Sequence, residues 1–473
     1  MRGSFAFGFG QIVARGAQMV TLLILPALLD PHEYGLVQLT ITVALLINFV
    51  VPLEITQGLA RYYPMADADT RMGLSSSAWW FTLAGAVLIL LIGQVFSDDL
   101  QKLLIDDPSL NTAFRISIVF VALNAVYYFL QNQFRWIFDL RGFVVVSVVF
   151  ALGTAGLTLG LGSGLDSALV GALIGQVGGM GIATVVGLLL LRPYLFGPSR
   201  YPALKQMLQF SLPLVPAQIA LFISQYFGRF ALGDTAGLQD VGLLTLASQM
   251  AGTTALLLVG VQAALTPLIM THFERPETPG QLARLFELSV AGALVLSGGL
   301  ALFAPEAIGL LRKPEYDGAA PLVLVIAPAA LLGQFYIFSP GFAIARRSDR
   351  QLLVSLAAAA IGLVANFVLV ANFGLWGAAW ATLASTATFI IAWFTFSLPL
   401  YPLPIRWGPV TAAIGAYIAV ATVAYARLEY GDLAIKLVLL TAMIAALRAF
   451  GLVQPGTLQK ARNLLRGATR RAT

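Results

Sequence analysis

Cysteine is absent from the 473 residues, which excludes disulfides, thiolate metal sites and thiol redox chemistry. Charge is scarce: Asp, Glu, Lys and Arg make up 11% of the chain, against about 25% in an ordinary soluble domain. Histidine occurs only twice, at His32 and His272, both in expected loops where a lone imidazole is solvated. Long polar connections are missing too, so no loop has room for a soluble catalytic domain. The net charge of +6 is not a nucleic-acid signature, because it follows from where the basic residues sit along the chain.

Apolar sequence fills the space instead. The chain is 59% hydrophobic, with a mean hydropathy of +0.85. Fourteen apolar runs lie at 5–29, 34–57, 74–96, 110–134, 142–161, 167–191, 207–231, 239–268, 285–311, 319–345, 351–371, 375–398, 408–426 and 433–450. A bilayer core needs about 20 such residues per helix, and only helices or closed barrels satisfy their backbone groups in lipid. The runs are too long and continuous for barrel strands. The expected fold is therefore an all-α membrane protein of 14 transmembrane helices. The first run is too long for a signal peptide and lacks a cleavage site, so it counts as a span. With the N-terminus in the cytoplasm, 20 of the 28 Lys and Arg fall on the cytoplasmic side. Only Lys102, Arg312, Lys313 and Arg427 fall opposite, and both termini are expected inside.

An internal repeat organises the runs. At an offset of 207, Gln11-Ile12 falls on Gln218-Ile219 and Gly35 on Gly242. At 206, Arg141 meets Arg347, Gly156 meets Gly362, and Gly171-Ala172 meets Gly377-Ala378. This gives two pseudo-symmetric six-helix lobes, 1–191 and 207–398, joined by a cytoplasmic linker at 192–206. The lobes are parallel repeats. Two extra helices occupy 399–450, and the basic stretch 451–473 has amphipathic spacing suited to anionic lipid, or is a frayed tail.

Polar side chains at membrane depth mark cavities or pathways. Gln11, Arg15 and Gln18 share one helical face. So do Glu54, Gln57 and Arg61; Asn124, Tyr128, Gln131 and Arg135; and Ser211, Gln218, Gln225 and Arg229. These faces are expected to line one hydrated space between the lobes. Arg15 lies roughly 15 Å into its span. It either meets an anionic substrate group, as its planar fork allows, or pairs with Glu54. Glu54 is the candidate for H+ or Na+ coupling, or a staple to Arg15 or Arg61. Arg61 and Arg135 also fit plain interfacial anchoring. Arg229 has Asp234 nearby in sequence, and Arg115 is expected to snorkel. Gly171, Gly175, Gly178, Gly179 and Gly181 are spaced for close helix packing, and Trp79-Trp80 reads as an interfacial anchor. No metal-ligating or catalytic constellation is present in the sequence.

Several short motifs resemble one family. Leu29-Asp30-Pro31-His32-Glu33-Tyr34-Gly35, Gly58-Leu59-Ala60-Arg61, Phe210-Ser211-Leu212-Pro213-Leu214-Val215-Pro216, Gly228-Arg229-Phe230 and Glu315-Tyr316 with Ala319-Ala320-Pro321 are similar to stretches of polysaccharide flippases. These form a branch of the multidrug/oligosaccharidyl-lipid/polysaccharide (MOP, MATE-like) exporter superfamily. The resemblance implies two six-helix lobes around a cavity that alternates between membrane faces. It also implies undecaprenyl-diphosphate-linked oligosaccharide as cargo, carried to the outer leaflet of the bacterial inner membrane for O-antigen, lipopolysaccharide or exopolysaccharide assembly. On that reading Arg15, and with it Arg61 and Arg229, hold cavity-cation positions, and the chain is not an enzyme. Expected partners are the lipid-linked substrate, anionic lipid at the tail, and glycosyltransferases or a polymerase, with no nucleic acid and no cofactor beyond the coupling ion. Two alternatives stay open. A multidrug antiporter of the same superfamily would need more buried carboxylates than Glu54. A membrane-bound polysaccharide polymerase or ligase would need a large outer loop.

Overall fold

The computed structural model describes residues 24–105, 107–345, 347–427 and 432–452. The chain is an all-helical membrane protein, with no strand among the described residues. Nine of the described helical segments are long and apolar enough to cross a membrane. The one at 349–400 covers two of the expected runs. The chain forms two compact units, residues 1–242 and 243–473.

The first unit contains α1 (Pro31–Val50), α2 (Ile55–Tyr62), α3 (Ala68–Val95), α4 (Ser97–Leu104), α5 (Asn111–Trp136), α6 (Leu140–Gly164), α7 (Ala168–Leu195), α8 (Tyr201–Ser211) and α9 (Val215–Thr235). Polar residues in the short connections start these helices. Asp30, Asp67, Asp139 and Ser167 each accept a backbone N–H of the first turn. Helix α5 is central and packs on α1, α3, α6 and α7. The closest pair is α6 with α7, where Gly171, Gly175 and Gly179 form a stripe at every fourth residue. A Cβ at Gly175 would stand 2.5 Å from the Thr158 amide nitrogen. Lipid tails are as apolar as leucine, so helices here associate through such close backbone approach and through polar contacts. Gly178 and Gly181 instead approach only the side chains of Leu157 and Leu123.

Helix α10 (Leu238–His272) starts in the first unit and continues into the second. Its first turn meets that of α1 in a reciprocal contact. A Cβ on Gly35 would overlap the Leu238 carbonyl oxygen and lie 3.2 Å from the Gly242 nitrogen. A Cβ on Gly242 would overlap the Pro31 carbonyl oxygen and lie 3.3 Å from the Gly35 nitrogen. Gly35 and Gly242, like Pro31 and Leu238, are separated by the repeat offset. The contact is thus reciprocal, each helix offering a glycine to a first-turn carbonyl of the other.

The second unit contains α11 (Thr278–Gly309), α12 (Val323–Leu332), α13 (Gly341–Ile344), α14 (Ser348–Ser397), α15 (Trp407–Arg427) and α16 (Leu433–Ala449). Helix α14 is two helices meeting at Gly374, whose φ of 51° is outside the helical region. Its core gathers Phe286, Phe335, Phe338, Trp393, Phe394 and Tyr417. The two C-terminal helices are tied to α11 by ion pairs: Arg406, just before α15, with Glu287, and Lys436 on α16 with Glu306. Large side chains on the outside are apolar, among them Val95, Leu189, Phe367 and Ile391, as a lipid-facing surface demands.

Two expectations change. The run 34–57 is not one helix: α1 stops at Val50, and α2 begins at Ile55. Leu53 and Glu54 between them have φ of 45° and 54°, a left-handed conformation that is unusual for residues other than glycine. Trp79 is not an interfacial anchor. It is buried against Phe129 and Phe196, while only Trp80, one residue and about 100° further round the helix, faces out. Arg115, as expected, carries its charge outward, where it donates to the exposed Asp98 at 3.1 Å and to Asn111 at 3.0 Å. The linker is also anchored rather than loose. Ser76 donates to the Gly197 carbonyl, the Arg200 backbone N–H donates to Ser77, and Arg200 pairs with Asp69 at 3.2 Å.

Candidate functional site

The first three family-like motifs are packed as scaffold. In the first, Asp30 and Glu33 form a reciprocal capping box, Pro31 opens α1, Tyr34 is fully buried, and Gly35 makes the contact with Gly242. The second and third pack on each other. Gly58 abuts Met207 of α8, and the Arg61 guanidinium lies 4.6 Å from the Phe210 ring centre. Arg61 is exposed there and also stacks near Tyr62.

Two ionisable groups stand out at membrane depth. The first is Arg229 on α9. Its guanidinium donates to Thr42 of α1 at 3.0 Å and lies 5.2 Å from the Tyr226 ring centre. Thr42 is wholly buried and donates in turn to the Gln38 carbonyl. Among the described residues no carboxylate lies within salt-bridge range of Arg229. The sequence neighbour Asp234 does not reach it and is exposed. Five residues along a helix turn the side chain through about 140°, so the two point different ways. A cation on a membrane-inserted helix, satisfied by one hydroxyl and one ring, keeps most of its donors for an anion.

The second is Glu54, which caps nothing and sits at the left-handed break. Its side chain is 2% exposed, and Oε2 has no hydrogen-bond partner. Gln57 lies beside it, and Tyr128 of α5 is within electrostatic range of both Glu54 and Arg135. Arg135 in turn donates to Asn132 at 3.3 Å. Glu54 makes no ion pair with Arg61. The expected staple to Arg15 lies outside the described residues, as do Gln11 and Gln18. Thr42 and Glu54 are roughly 18 Å apart along the segment, so the cation and the acid are separate sites.

The remaining candidates divide. Asn124 is half-buried on α5, with its amide oxygen buried and unpartnered. Gln131 turns into the α5–α6 seam, near Tyr127 Oη at 3.3 Å and Ser147 Oγ at 3.2 Å. Gln218 is half-buried on α9. The side chain of Gln225 lies outside the described residues. Sequence reasoning missed the pairs Glu287–Arg406 and Glu306–Lys436. Ionisable residues inside or at the ends of apolar runs were the available signal. It also missed the buried hydrogen bonds Gln133 to Ser75 at 2.7 Å and Thr40 to Ser117 at 3.0 Å. No group of acidic or histidine side chains able to hold a metal ion occurs among the described residues.

The profile of a family described as "Polysaccharide biosynthesis protein" matches residues 1–273, more than half of the chain. The chain belongs to this polysaccharide biosynthesis family. The flippase resemblance carried by the motifs agrees with that membership. Solved structures add the fold. The lipid II flippase MurJ in an inward closed conformation is 10% identical with a TM-score of 0.68, covering 94% of this chain and 98% of that one. An inward-facing multidrug resistance MATE transporter of the MOP superfamily is 16% identical with a TM-score of 0.59, covering 84% and 93%. A MOP superfamily transporter from Pyrococcus furiosus is 14% identical with a TM-score of 0.54, covering 84% and 94%. No curated protein matches the chain. The family member described here thus shares its fold with solved multidrug transporters and with a lipid II flippase.

Proposed function

We propose that this protein is an alternating-access flippase. It carries undecaprenyl-diphosphate-linked oligosaccharide from the cytoplasmic to the outer leaflet of the bacterial inner membrane, for O-antigen, lipopolysaccharide or exopolysaccharide assembly. Membership of the polysaccharide biosynthesis family supports the cargo class. The observation that carries the reading is Arg229, a guanidinium at membrane depth whose described partners are a hydroxyl and an aromatic ring. Such a cation is costly unless an anion visits it, and a guanidinium fork matches the oxygens of a diphosphate. Arg15 and Arg61 complete the cation set. Gln11, Gln18, Asn124, Gln218 and Gln225 supply amides for sugar hydroxyls, while Gln131 is held in the α5–α6 seam. Glu54, buried with one free carboxylate oxygen, is the H+ or Na+ coupling group. Both termini are cytoplasmic, the basic tail rests on anionic lipid, and glycosyltransferases or a polymerase act beside the flippase.

The test is glycan export in cells that depend on this protein, at matched protein level. A hydrogen bond to a charged group contributes about 1.5–3 kcal/mol. Arg229→Ala should therefore reduce export by about 10- to 100-fold, with Arg229→Lys intermediate, and Arg15→Ala should also reduce it. Full export with Arg229→Ala removes the assignment. Export of a cationic drug instead of glycan would favour the antiporter.

A further inference from the structure

The second unit holds a cavity of about 740 Å³ at the C-terminal end of α11. That size suits a small ligand, for which pockets span about 300–1,000 Å³. Pro305 and Pro321 are among its rigid walls, and Arg312, Lys313, Asp317 and Tyr425 are its polar or aromatic lining. Arg312 is exposed, and no acid lies within ion-pair range of it among the described residues. Cations often sit at helix C-termini because they complement the last carbonyls. The Arg312 backbone N–H donates to the Gly309 carbonyl at 3.0 Å, which leaves its guanidinium free of those carbonyls. Its φ of 54° is left-handed, a strained conformation for a side chain of this size. Tyr425 is 64% exposed, and its ring packs perpendicular to that of Trp376 with the centroids 5.5 Å apart. This exposed ring lines the same cavity as Arg312. The location adds weight: of the four basic residues expected on the outer side, two line this one cavity.

We propose that this cavity is a binding site for a phosphate-bearing anion. Arg312 grips the phosphate oxygens, Tyr425 covers the group esterified to them, and Asp317 weakens binding by like charge. The phosphate is supplied by a lipid headgroup or by a phosphorylated sugar. The site is built from residues of the second unit alone, whereas Arg229 and Glu54 belong to the first, so it does not depend on the transport reading.

The test is binding to the purified full chain in detergent, measured by native mass spectrometry. The probes are dioleoyl phosphatidylglycerol and glucose 1-phosphate, with dioleoylglycerol and glucose as phosphate-free controls. Arg312→Gln should weaken binding about tenfold, the loss of one charge-assisted contact. Tyr425→Ala should weaken it less, and Asp317→Asn should tighten it. Opposite shifts from two neighbouring substitutions cannot come from misfolding. A response with the lipid alone identifies a headgroup, and one with the sugar phosphate alone a soluble ligand. If Arg312→Gln leaves both probes unchanged, or Arg312→Gln and Asp317→Asn shift binding in the same direction, the proposal fails.

Discussion

Glu306→Ala should destabilise the protein more than Lys436→Met, although both break one ion pair. The Lys436 side chain is completely buried, while that of Glu306 keeps 24% of its surface exposed, one turn from the end of α11. Without Glu306, no acid lies within ion-pair range of the fully buried Lys436 ammonium among the described residues. Stranding a buried charge costs about 3–5 kcal/mol. After Lys436→Met, the Glu306 carboxyl keeps the exposed part of its surface, so the loss should fall below that range. Replacing both, as Glu306→Leu with Lys436→Met, exchanges a desolvated pair for apolar packing and should recover most of the stability. The assay is denaturant unfolding in mixed micelles, read by tryptophan fluorescence, as a double-mutant cycle. Equal losses for the two single variants, or a double variant as unstable as Glu306→Ala, would refute the argument.

Three further outcomes follow from the packing and the surface charges. Gly179→Ala forces a methyl onto the Thr154 backbone of α6 and should cost about 1–3 kcal/mol; Gly156→Ala, which meets nothing within 4 Å, should be neutral or stabilising in the same unfolding assay. Arg406→Lys keeps the charge but loses the fork on Glu287, and should cost about 1–2 kcal/mol. The hydrogen bond from Asn111, and then the Arg115 guanidinium, hold the Asp98 carboxyl below its ordinary value. Its contribution is therefore present above about pH 4 and lost as pH falls through the lowered folded-state value. Asp98→Asn should lower the melting temperature at pH 7 and leave it unchanged in strong acid, as read by a thermal scan at each pH.

The helices were legible because apolar runs of bilayer length, bounded by Asp, Ser and Pro, admit one backbone solution. The expected boundary at Gly374 is where α14 bends. The break at 51–54 has one signal in the sequence, Pro52, a residue that can kink a helix, but Val51 and Leu53 read as apolar continuation and hydropathy carries no dihedral information. The ion pairs escaped because Lys436 and Glu306 are 130 residues apart, and Arg406 and Glu287 are 119 apart. Arg229 was legible as a charge in an apolar run, but not in its direction. Asp234 was close in sequence, and helical phase sends the two side chains to different faces. Gln131 shows the opposite limit: its place on a polar stripe was correct, yet the amide is taken up by Tyr127 and Ser147 inside the unit.

The mutual fit of Gly35 and Gly242 makes one backbone contact depend on two positions far apart in the sequence. Each glycine rests on a carbonyl of the facing helix, so a methyl at either position wedges apart the same pair of backbones. The two sites therefore share one phenotype, and restoring one glycine cannot repair the loss of the other.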